Sequence, residues 1–131
     1  MLRIISWNCW GFPWNKGPKL IWISNYVDII FLVETWEHKE SKVPNIDGFA
    51  PWSTWNNRSS HRGIGGITCY IKKNISPHAR IYKNDPYNQC SWIEITDIND
   101  KQTYIVIFYF APINSNFYKK KNLDKMVLTM V

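Results

Sequence analysis

The chain has 131 residues and a formal net charge of +6, with 45% hydrophobic, 16% aromatic and 20% charged residues. One ordinary domain has about this length, and eight Trp, seven Tyr and six Phe exclude a disordered, low-complexity chain. The basic balance suits a polyanionic partner such as nucleic acid; solubility alone is the plainer reading of the same charge.

Cys9, Cys69 and Cys90 form no CxxC pair. This argues against a small disulfide scaffold, and free thiols in a reducing compartment are expected. His38, His61 and His78 are isolated from the cysteines, which disfavours a zinc site. The longest apolar stretch, Tyr104 to Ile113, is about half of the ~20 residues of a membrane span. MLRIISWN lacks the long apolar region and small-residue cleavage site of a secretory signal. The expected location is intracellular, nuclear or cytoplasmic, without membrane attachment.

Leu2 to Asn8 is a run of β-formers that stops at the segment NCWGF, which reads as a strand and a turn. Pro18 to Tyr26 reads as a short helix, with Pro18 in its first turn. Asp28 to Val33 is apolar on both faces, as a buried strand is. Strand, helix and strand in this order suggest a βαβ unit. Thr35 to Pro51 is polar, with Pro and Gly, and reads as a loop. Gly63 to Lys73 reads as a strand with a glycine-rich entry, and Ser91 to Thr96 as an alternating strand. Asn99-Asp100 closes a hairpin into Thr103 to Ala111, a run apolar on both faces that should lie centrally. From Lys119 the pattern is helical, with Leu123, Met126, Val127 and Met130 on one face. It stops without a cap, so the chain is expected to be cut off after Val131.

Two polar residues follow apolar strands, Asn8 after LRIISW and Glu34 after DIIFLV. Ligand sites gather at the carboxyl ends of strands in α/β sheets. A carboxylate and an amide oxygen are hard ligands that suit Mg²⁺; strand-end solvation is the alternative. Tyr109 ends the longest strand and could donate its hydroxyl to a phosphate, or simply pack. His61 and Arg62 precede Gly63, Gly65 and Gly66, where a basic residue can approach a phosphate, or where a solvated loop leads into a bulge. Lys72-Lys73 and Lys119-Lys120-Lys121 are candidate nucleic-acid contacts or solvated faces. Trp36, Trp52 and Trp55 fall in loops, where they could stack on a base or pack beneath the loop.

Four segments, in order, carry a resemblance. IISWNCWG, DIIFLVETW, RGIGGITCYIKKNI, and WIEI followed by YIVIFYFAPINS resemble successive signatures of the endonuclease/exonuclease/phosphatase superfamily. Within it, GGI and YFAPINS look most like endonuclease domains of LINE-type retrotransposons, and next like abasic-site endonucleases of the exonuclease III type. The resemblance implies an α/β fold, the N-terminal half of a two-sheet, four-layer α/β/β/α sandwich. It implies one incomplete domain over residues 1–131. The implied parent activity is Mg²⁺- or Mn²⁺-dependent hydrolysis of DNA phosphodiesters. By matching position, Glu34 is the carboxylate metal ligand, Asn8 assists at the metal and phosphate, and Tyr109 contacts the phosphate. His61, Arg62, Lys72 and Lys73 are the implied nucleic-acid contacts.

The chain departs from the family pattern at Val33, where Gln is frequent, and at Trp10, which replaces the second Asn of NxNG. The family's later GD-x-N and SDH-like motifs, which supply the Asp, Asn and Asp–His groups, have no match after Tyr109. The isolated chain is therefore expected to be inactive. The alternatives are another phosphodiesterase or phosphatase of the superfamily, or a non-catalytic nucleic-acid-binding relic.

Overall fold

The computed structural model describes residues 1–11, 16–36, 43–54, 66–84 and 90–109. Strand β1 (Ile4–Asn8) leads into helix α1 (Gly17–Ser24) and strand β2 (Ile29–Val33). Strands β3 (Phe49–Thr54) and β4 (Ile67–Lys72) follow, and a 3-10 turn at Ser76–His78 enters β5 (Ala79–Asn84), β6 (Cys90–Thr96) and β7 (Gln102–Phe108). One sheet has the order β1-β2-β4-β3 and the other β5-β6-β7. β1 and β2 are parallel, with Asn8 opposite Val33, which completes the expected βαβ unit. The other pairings are antiparallel.

The alternation of β2 assigns its layers. Ile30 and Leu32 join Leu20 and Ile23 of α1 in one buried cluster, while Ile29 and Phe31 pack with Cys69, Ile71 and Ile93 in the other. Ile95, Ile105 and Ile107 add to that second cluster from β6 and β7. A strand covered by a helix on one face and a second sheet on the other must be apolar throughout, which is why DIIFLV does not alternate. The described elements thus form helix, sheet and sheet, the α/β two-sheet architecture that the sequence suggests. All three cysteines are free and buried. Burial pushes the Cys69 thiol far up from its ordinary pKa, so it stays protonated.

Three expectations need correction. The segment read as a loop up to Pro51 already enters β3 at Phe49. Among the described strands β3 ends its sheet, a place where Pro51 sacrifices no ladder hydrogen bond. Trp52 therefore sits on a strand and packs into the intersheet cluster, so it is no loop aromatic poised for a base. β7, expected to be central, is an end strand among those described. Its inner residues Ile105 and Ile107 face the core, while Tyr104 and Phe108 stay 46% and 50% exposed. β5 was not legible, because ARIYKN mixes charged and apolar residues. Its Arg80 donates through Nε to Glu94 on β6 at 2.7 Å, and that bond, followed by one from Tyr104, holds the Glu94 carboxyl below its usual range. The β6–β7 turn follows the expected Asn99-Asp100 position. The Asp97 carboxylate accepts from the amides of Asn99 and Lys101 at 2.8 and 2.9 Å, and Asp100 takes a φ of +58°. His61, Arg62, Trp55, the Lys119–Lys121 run and the expected terminal helix lie outside the described residues.

Asp28, just before β2, ties the sheet's other end. It accepts from the Arg3 amide at 2.8 Å and the Arg3 guanidinium at 3.2 Å, and from Lys72 Nζ at 2.9 Å. The Arg3 guanidinium, followed by Lys72, holds the Asp28 carboxyl well below the carboxylate range despite burial. A lowered folded-state pKa means stability that is fully present above the unfolded value of about 4 and lost as pH falls toward the folded one. The thermal midpoint should therefore drop as pH falls below about 4, and Asp28→Asn should flatten that drop while costing about 1 kcal/mol at neutral pH. Circular dichroism melts of both proteins across this range check it. An equal acid sensitivity in the two proteins would assign the effect to other carboxylates.

Candidate active site

Parallel pairing brings the carboxyl ends of β1 and β2 to one sheet edge. Asn8 is the last residue of β1, and Glu34 follows the last residue of β2. The chain turns sharply there: Trp10, Glu34 and Trp36 all have positive φ, at +49°, +55° and +54°. Such backbone is uncommon for non-glycine residues and collects where surroundings enforce it. Here the enforcement is visible. The Cys9 amide donates to Val33 O at 3.0 Å, the Gly11 amide to Glu34 O at 2.6 Å, and the Thr35 amide to Gly66 O at 3.4 Å. The Cys9 thiol donates to Val33 O at 3.4 Å. Lys16, the residue before α1, directs its ammonium to the carbonyls of Cys9, Trp10 and Gly11. The last two of these bonds are 3.4 and 3.0 Å.

Tyr109, the residue after β7, donates its hydroxyl to Glu34 Oε1. The second sheet thus delivers a phenol to the carboxylate that the first sheet presents. Asn8, exposed at the neighbouring strand end, accepts the Trp10 amide on Oδ1 at 3.1 Å. The three residues singled out in the sequence are therefore placed at one end of the sandwich, with Glu34 and Tyr109 in direct contact. Val33, at the position where the resembled family often has Gln, is buried core and offers no polar support to Glu34.

The donor set fits a divalent cation only sparingly. Among the described residues no group of three or more His, Cys, Asp or Glu side chains converges. One carboxylate and one amide oxygen match Mg²⁺, which keeps several waters and takes few protein ligands.

The basic candidates are elsewhere. Lys72 ends β4, opposite the start of β2, and is engaged by Asp28; Lys73 follows it, with its amide on Gly48 O at 2.8 Å. The six steps from Asp28 to Glu34, at about 3.3 Å each, put these lysines roughly 20 Å from Glu34. What sequence reasoning missed is Lys16 and the pairing of Trp36, singled out there as a possible stacking aromatic, with Trp10; their ring centroids are 6.1 Å apart in an edge-to-face arrangement. No sequence pattern announces Lys16, because its partners are backbone carbonyls.

No protein-family model and no curated protein matches the chain. Among solved structures, the AP endonuclease LMAP from Leishmania major is similar at a TM-score of 0.69 and 16% identity, over 98% of this chain and 45% of that one. The catalytic domain of Xenopus laevis APE2 is similar at 0.67 and 16% identity, over 98% of this chain and 52% of that one. No helix among the described residues is long and apolar enough to cross a membrane. The chain carries the fold seen in AP endonucleases and spans about half the length of these neighbours, in keeping with its resemblance to the endonuclease/exonuclease/phosphatase superfamily.

Proposed function

We propose that the chain is one half of a divalent-metal-dependent phosphodiesterase acting on DNA, of the retrotransposon endonuclease type, with residues 1–131 forming a single incomplete domain. The observation that carries this reading is the meeting of Glu34 and Tyr109 across the two sheets, beside Asn8. Glu34 and Asn8 would hold Mg²⁺ or Mn²⁺, which when bound supplies charge stabilisation at a phosphate oxygen. Tyr109 turns its hydroxyl from Glu34 to a phosphate oxygen as substrate enters. Glu34 Oε1 then no longer accepts from the phenol and is open to the cation. Hydrolysis also needs a base to take a proton from water, and the resemblance assigns that base to motifs this chain lacks. The isolated chain therefore binds metal without turning over. A net charge of +6 supports a nucleic-acid partner.

Mn²⁺ titration of the chain and of Glu34→Ala, read by calorimetry, tests the site. Weak binding that Glu34→Ala abolishes is expected. Binding that survives Glu34→Ala would place the metal elsewhere and leave this edge a structural turn. DNA binding without any metal binding would favour the non-catalytic relic.

A further inference from the structure

Trp10 is 74% exposed, although the backbone around it is tied by several hydrogen bonds. Its carbonyl and those on either side face the Lys16 ammonium, its amide is held by Asn8, and its φ is +49°. Its indole meets Trp36 edge to face at 65°, a contact that uses little of the ring's surface. Trp36 in turn lies so close over Gly11 that a Cβ there would come within 2.5 Å of the ring. The molecule thus presents a large apolar ring to solvent from tied backbone, two residues from Asn8, against an indole two residues beyond Glu34. Exposed aromatics usually lie on yielding surface; a constrained one in strained backbone beside a polar site points to a ligand with a flat π face.

We propose that the Trp10–Trp36 pair is a stacking platform for one unpaired nucleobase, set beside the Glu34 edge. This rests on the phosphodiesterase reading and deepens it by naming the substrate form. Bases inside a duplex are already stacked on both faces, so an indole platform selects a base that is single-stranded or turned out of the helix. Trp10 is the specificity residue. Trp36 and Lys16 are positioning residues, one bracing the ring and the other the loop.

The test is fluorescence anisotropy of a labelled single-stranded oligonucleotide and of the matching duplex, with chelator present so that no metal contributes. The 131-residue chain is compared with Trp10→Ala, Trp10→Phe and the control Ile98→Ala. Trp10→Ala should weaken single-strand binding by about fivefold or more, while duplex binding stays unchanged. Trp10→Phe should keep most of the single-strand affinity, and Ile98→Ala, far from the site in the β6–β7 turn, all of it. Equal single-strand binding by Trp10→Ala and the parent chain would overturn the platform and leave the metal site standing. Equal weakening on both DNAs would also overturn it, as the mark of a general loss of structure. A parent chain that binds neither DNA would overturn the nucleic-acid reading itself.

Discussion

Phe31→Ala is expected to cost about 3–5 kcal/mol of stability, against the roughly 5–15 kcal/mol that ordinary domains possess. Phe31 is 2% exposed and stands between the sheets, with Ile29, Cys69, Ile71 and Ile93 around it. It is therefore the largest side chain joining β2 to the β5-β6-β7 sheet. Truncation removes its apolar area and leaves a void that two stiff sheets cannot collapse to fill. The denaturant midpoint should fall sharply. Ile98→Ala serves as the control, because Ile98 is 97% exposed in the β6–β7 turn and should change stability by less than about 0.5 kcal/mol. A midpoint unmoved by Phe31→Ala would mean that the sheets do not pack face to face.

The second large effect concerns chemistry. When the chain is co-expressed with the remaining half of a structural neighbour, Mg²⁺-dependent nicking of supercoiled DNA should appear. Glu34→Ala should then lower nicking by more than the about 10–100-fold seen for groups that merely support a metal ligand. Its carboxylate carries the negative charge that the described side of the site offers a cation. Tyr109→Phe should lower the rate by about 100-fold, the usual cost of one lost donor at developing oxygen charge. Nicking that persists at full rate in Glu34→Ala would assign the catalysis wholly to the added half.

What could be read in the sequence followed burial. DIIFLV announced a covered strand because both of its faces are inside, and Glu34 was visible as the polar residue that ends it. The β6–β7 hairpin was visible because Asp97, Asn99 and Asp100 are local turn chemistry. β3 was lost because an end strand can carry a proline, and FAPWST then looks like a loop. β5 was lost because ARIYKN mixes charged and apolar residues without a clean alternation. Tyr109 could be singled out from the residues but not preferred, since a phenol at a strand end packs more often than it acts; only the resemblance ranked it. Lys72 looked like a free surface cation and is instead paired across the sheet with Asp28. The edge-to-face indoles and the Lys16 cradle depend on positive φ at three residues, and composition does not display dihedral angles.

The pairing pattern also sets an order of assembly. In β6–β7, Thr96 faces Gln102 across a tight turn, whereas Ile29 of β2 must find Ile71 of β4. Closing the longer loop costs about 2 kcal/mol more chain entropy, and non-local pairings of this kind form slowly. The hairpin sheet that delivers Tyr109 is thus the unit with local pairings, although its inner face is covered only when it packs on β2 and β4. The sheet that presents Glu34 forms late, because it waits on two distant strands. The phenol–carboxylate contact joins the two units, so it can close only after both have formed, and it marks the end of folding rather than its start.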